Sequence, residues 1–162
     1  MLRAQSRFAE VLTDADHAWI RRLLAQIQAV NNIIQSLPLT LCHGDCIPGN
    51  VLRDADGQFV WTDWQEVQLG CGPADISFFL QRASSDGPTV PHDAAIATYH
   101  ASLQEHLNQP LDLASIHRTV DASELWTRTL YWPAYLVDAS ESALADMIGQ
   151  MQALTEKLAL NV

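Results

Sequence analysis

Between residues 43 and 64 the chain sets its turn residues and its polar residues at spacings that leave little choice of local fold. His43-Gly44-Asp45-Cys46-Ile47-Pro48-Gly49-Asn50 is followed, thirteen residues after Asn50, by Asp63-Trp64. Two short apolar runs, Asn50-Val51-Leu52 and Phe59-Val60-Trp61-Thr62, flank Asp54-Ala55-Asp56-Gly57. Aspartates and a glycine between apolar runs make a tight turn, because aspartate bonds its own backbone and glycine accepts positive φ. The pattern predicts a β-hairpin with Asn50 at the start of one strand and Asp63 at the end of the other. Two polar residues far apart in sequence are thereby expected side by side.

Helical periodicity dominates elsewhere. Trp19, Ile20, Leu23, Leu24, Ile27, Val30, Ile33, Ile34 and Leu37 recur at three- and four-residue spacing. They predict one amphipathic helix over residues 16–37, capped by Thr13, Asp14 or Asp16 and ended by Pro38. Thr40-Leu41-Cys42 is a short extended entry to the motif loop. Gly70-Cys71-Gly72-Pro73 reads as a loop and residues 74–81 as a helix, with Asp75 near its N-terminus. Residues 84–88 form a polar break. Helices are expected over 92–107, ending near Asn108 and Pro110, and over 112–131, with Pro133 kinking or ending the second. Ser140 caps a last helix, whose stripe of Leu144, Met147, Ile148, Met151, Leu154 and Leu158 reads as core. No internal repeat or linker marks a boundary, so residues 1–162 read as a single domain.

Composition narrows the partners. Hydrophobic residues make up 48% and charged residues 17% of 162 residues, which describes a globular chain. The net charge of −10 disfavours nucleic acid and anionic membrane surfaces. It suits solubility, and it also suits a cationic small substrate. Three cysteines and no apolar leader point to free thiols in a reducing cytoplasm. No run approaches eighteen apolar residues, so no membrane span is expected.

The residue types of the motif carry a chemistry. Phosphoryl transfer needs a carboxylate to orient an acceptor hydroxyl and take its proton, and oxygen ligands for Mg²⁺. Asp45 suits the first task, and Asn50 with Asp63 the second. In protein kinases H-R-D-x-x-x-x-N and D-F-G do this work; here the two motifs read H-G-D-x-x-x-x-N and D-W-Q. Each residue alone reads as an ordinary turn former or cap, and the weight lies in the combination.

The pairing resembles the aminoglycoside phosphotransferase and choline kinase-like family. Members commonly show Asp-Trp-Glu, then a Gly, a Pro and an Asp opening a helix; this chain has Asp63-Trp64-Gln65, Gly70, Gly72, Pro73 and Asp75-Ile76. The specific match spans residues 39–80. The resemblance implies an α+β domain, the mainly helical C-terminal lobe of a protein kinase-like fold with a small catalytic β-hairpin. It implies ATP- and Mg²⁺-dependent phosphorylation of a hydroxyl on a small molecule. Asp45 would be the catalytic base, Asn50 and Asp63 the metal ligands, Asp75 the buried brace of the loop and His43 a structural hydrogen-bonding residue. Gln65 replaces the usual Glu, and Thr62 replaces an aliphatic residue that lines the adenine pocket.

The family's small lobe supplies a Lys for the ATP phosphates, a Glu that orients it and a loop over the phosphates. About fifteen residues precede the first helix here, and Lys157 is the only lysine. The expectation is therefore a large lobe alone: a fragment, an enzyme completed by a small-lobe polypeptide or a second copy, or a retired lobe now used for binding. A non-catalytic interaction module is the rival reading. A metal-dependent phosphohydrolase using Asp45 and Asp63 would need more ligands than the hairpin region offers. Cys42, His43, Cys46 and Cys71 form a poor zinc set, since adjacent Cys42 and His43 point to opposite faces of a strand. Asp54-Ala55-Asp56-Gly57 opens like a calcium loop, but its twelfth position is Gln65, so it reads as a turn. Cys46 is expected exposed, without a basic neighbour to lower its pKa. Asp121, Glu124, Trp126, Tyr131, Trp132, Tyr135 and Asp138 form a pool that suits a cationic acceptor or an ordinary packed helix.

Overall fold

The computed structural model describes residues 10–86, 90–107, 110–136 and 138–162. It is mixed α/β and mainly helical, with two small two-stranded sheets. Chain contacts divide it into two compact units, Met1–Ile33 with Leu125–Val162, and Ile34–Glu124.

The first unit begins with α1 (Asp14–Ala25), which opens on a capping box. The Thr13 hydroxyl accepts the Asp16 N–H, and the Asp16 carboxylate accepts the Thr13 N–H at 2.9 Å. The single helix expected over 16–37 is in fact two. At Gln26 the backbone turns (φ −97°, ψ 2°) and its N–H reaches back to the carbonyls of Leu23 and Leu24. A new helix, α2 (Ile27–Ile34), follows and stops short of Pro38. No glycine or proline marks the break, and the apolar stripe runs through it, so periodicity alone joins the two. At the other end of the chain Ser140 accepts the Ala143 N–H and caps a helix at Glu141–Lys157. Of the stripe read as core, Leu144, Ile148, Met151, Leu154 and the C-cap residue Leu158 are buried and Met147 is half-buried.

The second unit carries the motif. β1 (Leu39–Cys42) leads into the loop at 43–47 and a 3₁₀ turn at Pro48–Asn50. The predicted hairpin follows as β2 (Val51–Arg53) and β3 (Phe59–Trp61), with Val51 opposite Trp61 and Arg53 opposite Phe59. Its turn is closed by Asp54, whose Oδ1 accepts the N–H groups of Asp56 (3.0 Å) and Gln58 (2.8 Å), while Gly57 takes φ +81°. Residues 70 and 71, read as loop, belong instead to β4 (Gln68–Cys71), which pairs antiparallel with β1. A strand of four residues ending in Gly-Cys has no period to betray it, and its partner lies some thirty residues upstream.

Directly after Cys71 the chain enters α3 (Gly72–Asp86). The expected polar break begins within this helix, and residues 87–89 lie outside the described residues. α4 (His92–Gln104) ends shortly before residues 108 and 109, also outside them, and α5 (Leu113–Leu130) follows. The Glu141–Lys157 helix is α6. Leu37, Cys71, Leu80, Ile96, Ile116 and Val120 form the unit's core. Each such large aliphatic side chain, fully buried, contributes about 1.5–3 kcal/mol. A polar tie crosses this core: the Ser77 hydroxyl donates to the Val120 carbonyl at 3.0 Å, and Gln81 Nε2 donates to Ser77 Oγ at 3.2 Å. It couples α3 to α5. Among the described residues no helix is long and apolar enough to cross a membrane.

Candidate active site

Asp75 sits in the first turn of α3, where a carboxylate is favoured by the positive end of the helix dipole. Its two oxygens accept the backbone N–H groups of His43 (2.6 Å) and Gly44 (3.1 Å). Charge-assisted bonds of this kind are about twice as strong as neutral ones. They fix the loop immediately before Asp45.

Gly44 is held from a second direction. It takes φ +85°, and a Cβ built on it would lie 2.2 Å from the Glu66 carbonyl oxygen. The loop therefore lies directly against the backbone of the 3₁₀ turn at Trp64–Glu66, an approach only glycine permits.

Asn50 and Asp45 are brought into contact. Asn50 Nδ2 donates to the Asp45 carbonyl at 2.9 Å and to Asp45 Oδ2 at 3.0 Å. The amide nitrogen is thus turned inward, and the amide oxygen is left as an acceptor. The Asn50 carbonyl in turn accepts the Thr62 N–H (2.9 Å) and hydroxyl (3.2 Å). Thr62, at a position read as part of an adenine pocket, spends its hydroxyl on this backbone. The hairpin so brings Thr62, the residue before Asp63, against Asn50.

Asp63 adopts φ 62° and ψ 57°, the left-handed region that a non-glycine residue rarely enters. Its carboxylate does not cap the turn that follows and is exposed. His43, at 4% exposure, donates its Nε2–H to the Thr62 carbonyl at 2.8 Å. Its Nδ1 is buried without a hydrogen-bond partner, and its ring lies 4.5 Å from that of Trp64 and 5.4 Å from that of Trp61. A ring so enclosed faces no acceptor molecule.

Asn50 Oδ1 and the Asp63 carboxylate are hard oxygen donors of the kind Mg²⁺ takes. Among the described residues no three His, Cys, Asp or Glu side chains gather as a metal cage. Mg²⁺ commonly keeps several waters and takes only one or two protein carboxylates, with substrate phosphates completing its shell.

The three cysteines are free thiols, as expected, but Cys46 departs from expectation in its burial. Cys46 is buried, as are Cys42 and Cys71. Burial first, and then the charges of Asp75 and Asp45, push the Cys46 thiol up to about 12. Cys46 lies in the motif loop, which suggested exposure; the loop is held to α3 by the Asp75 bonds to His43 and Gly44. In the proposed acceptor pool, Tyr131 and Tyr135 are exposed and the Trp132 and Tyr135 rings meet edge-on at 6.1 Å. Asp121 and Glu124 belong to the other compact unit. Sequence reading did not single out Trp61 or the Glu66 backbone; the requirement for glycine at position 44 was the signal available for the latter.

A carboxylate tied to an amide on one loop, and a second carboxylate just past the end of the adjoining hairpin, are residue types that phosphoryl transfer uses. Residues 2–109 match the phosphotransferase enzyme family APH, and the chain belongs to that family. No curated protein and no solved structure matches it.

Proposed function

We propose that this chain is the large, catalytic lobe of a protein kinase-like phosphotransferase that moves the γ-phosphoryl group of ATP to a hydroxyl on a small, cationic molecule. The observation that carries the reading is the double hydrogen bond from the Asn50 amide to Asp45, which fixes a carboxylate beside a metal-binding oxygen. With Oδ2 engaged by Asn50, Oδ1 of Asp45 accepts the proton of the acceptor hydroxyl. The hydroxyl oxygen forms the new bond to the γ-phosphorus, the bond to the bridging β–γ oxygen breaks, and ADP leaves. Asn50 Oδ1 and Asp63 would hold Mg²⁺, which when bound neutralises charge on the phosphate oxygens. Asp75 and His43 keep the loop and the residue before Asp63 in place. The negative net charge favours a cationic acceptor, and unpaired thiols suit a cytoplasmic protein.

A small lobe beyond these residues, or supplied by another polypeptide, would complete the nucleotide cleft. One observation supports this. Nine of the thirteen exposed large apolar side chains among the described residues fall between Leu39 and Leu69, on the strands and turns around the site. The same exposure favours a second reading, a non-catalytic interaction module that uses this face.

Titration with ATP, with and without Mg²⁺, read by tryptophan fluorescence, separates the two. The phosphotransferase reading expects a Mg²⁺-dependent signal at millimolar ATP that Asp63→Ala abolishes. No Mg²⁺-dependent signal at millimolar ATP would mean that this lobe is incomplete alone, and only a signal still missing after a small lobe is supplied would sink the reading and leave the interaction module.

A further inference from the structure

The backbone around Asp63 is held in an uncommon state by its neighbours, and the holding groups are identifiable. Left-handed φ and ψ at a non-glycine residue cost about 1–2 kcal/mol, so surrounding contacts must impose them. The carbonyl of Thr62 is taken by His43 Nε2 at 2.8 Å. The carbonyl of Trp61 is taken by the indole N–H of Trp64 at 2.9 Å. The Trp64 ring rests against the His43 ring at 4.5 Å, so the two donors also brace each other. The two peptide carbonyls before Asp63 are thus both pinned by side chains, one from the loop and one from the residue after Asp63.

We infer that Trp64 is a positioning residue for the metal ligand Asp63. Its indole N–H draws the chain back onto Trp61 and forces the reversal at residue 63 that turns the Asp63 carboxylate outward. Phenylalanine at position 64 would keep the ring on His43 and lose this function, because it has no N–H to donate. The inference rests on the proposed role of Asp63 as a metal ligand.

The test is a titration of the whole chain with Mn²⁺ alone, following paramagnetic broadening of the Asp63 and Asn50 amide resonances, in the wild type and in Trp64→Phe. Loss of one neutral hydrogen bond predicts a Mn²⁺ midpoint raised roughly three- to tenfold in Trp64→Phe. Its melting temperature should stay close to that of the wild type, a separation that a merely structural tryptophan would not give. Equal midpoints in the two proteins would overturn the role of Trp64 and leave Asp63 as a ligand. No broadening in the wild type would overturn the metal-ligand reading and the inference with it. Should Trp64→Phe fail to fold, exchange of the Trp64 indole proton in the wild type decides the matter: slow exchange supports the bond, and exchange at the rate of a free indole overturns it.

Discussion

The carboxylate of Asp75 receives the backbone N–H of His43 at 2.6 Å across 32 positions of chain. With the companion bond to Gly44 it makes the loop that presents Asp45 an extension of α3. Asp75→Ala leaves two backbone donors without their charged acceptor. Hydrogen bonds to charged groups contribute about 1.5–3 kcal/mol each. We expect Asp75→Ala to lower unfolding free energy by about 2–4 kcal/mol, measured by urea denaturation.

Gly44 lies in the motif loop and Gly49 in the 3₁₀ turn that follows it, and the two should respond very differently to a methyl group. At Gly44 a Cβ meets the Glu66 carbonyl at 2.2 Å with φ at +85°, whereas at Gly49 its nearest neighbour is Ile47 Cδ1 at 3.8 Å. Gly44→Ala is expected to cost at least about 2 kcal/mol, from left-handed strain and overpacking together. Gly49→Ala is expected to change stability by less than about 1 kcal/mol. Comparable losses in thermal melts of the two variants would contradict the close approach.

Asp45→Asn keeps the size of the side chain and removes the base. In a preparation completed by a small lobe, phosphoryl transfer should fall by about 10²–10⁴-fold, the usual contribution of a general base. Mn²⁺ should still broaden the Asp63 amide, though at a higher midpoint, since Asp45 is not proposed as a ligand but its charge lies beside Asn50. Undiminished turnover in Asp45→Asn would remove the residue from the chemistry.

The buried thiols predict a pH limit. Burial holds Cys42 at about 11, Cys46 at about 12 and Cys71 at about 11, against an ordinary value of 9.0. The folded chain therefore retains thiol protons that the unfolded chain releases. Their contribution is fully present below pH 9.0 and is lost as pH rises through 11. Denaturation midpoints should decline across that window, and less steeply in Cys46→Ala. Alkylation at neutral pH should be slow until the fold opens.

What could be read in advance follows the range of the forces involved. The hairpin was legible because its turn is local: Asp54 and Gly57 carry the geometry within five residues. The caps at Thr13 and Ser140 were legible for the same reason. β4 was not, because its identity as a strand depends on pairing with β1, and pairing leaves no mark on four residues. The break at Gln26 uses an ordinary residue in an ordinary conformation. The burial of Cys46 depends on the loop's attachment to α3, a long-range contact that flanking polar residues conceal. Of the site, the residue types were visible; the bonds from Asn50 to Asp45 and from Trp64 to Trp61 appear only once the chain is folded.

The Asp54 turn also sets an order of events. A hairpin closed by its own aspartate has almost no loop-closure entropy to overcome, and hairpins form in about 1–10 μs. The Asp75 attachment spans a much longer loop and must await α3 and its core. The contact of Asn50 with Thr62 thus depends on a local turn, while the hold on the peptide before Asp45 depends on a long-range one. Losing the Asp75 attachment would free the peptide bearing Asp45 while leaving the Asp54 turn closed.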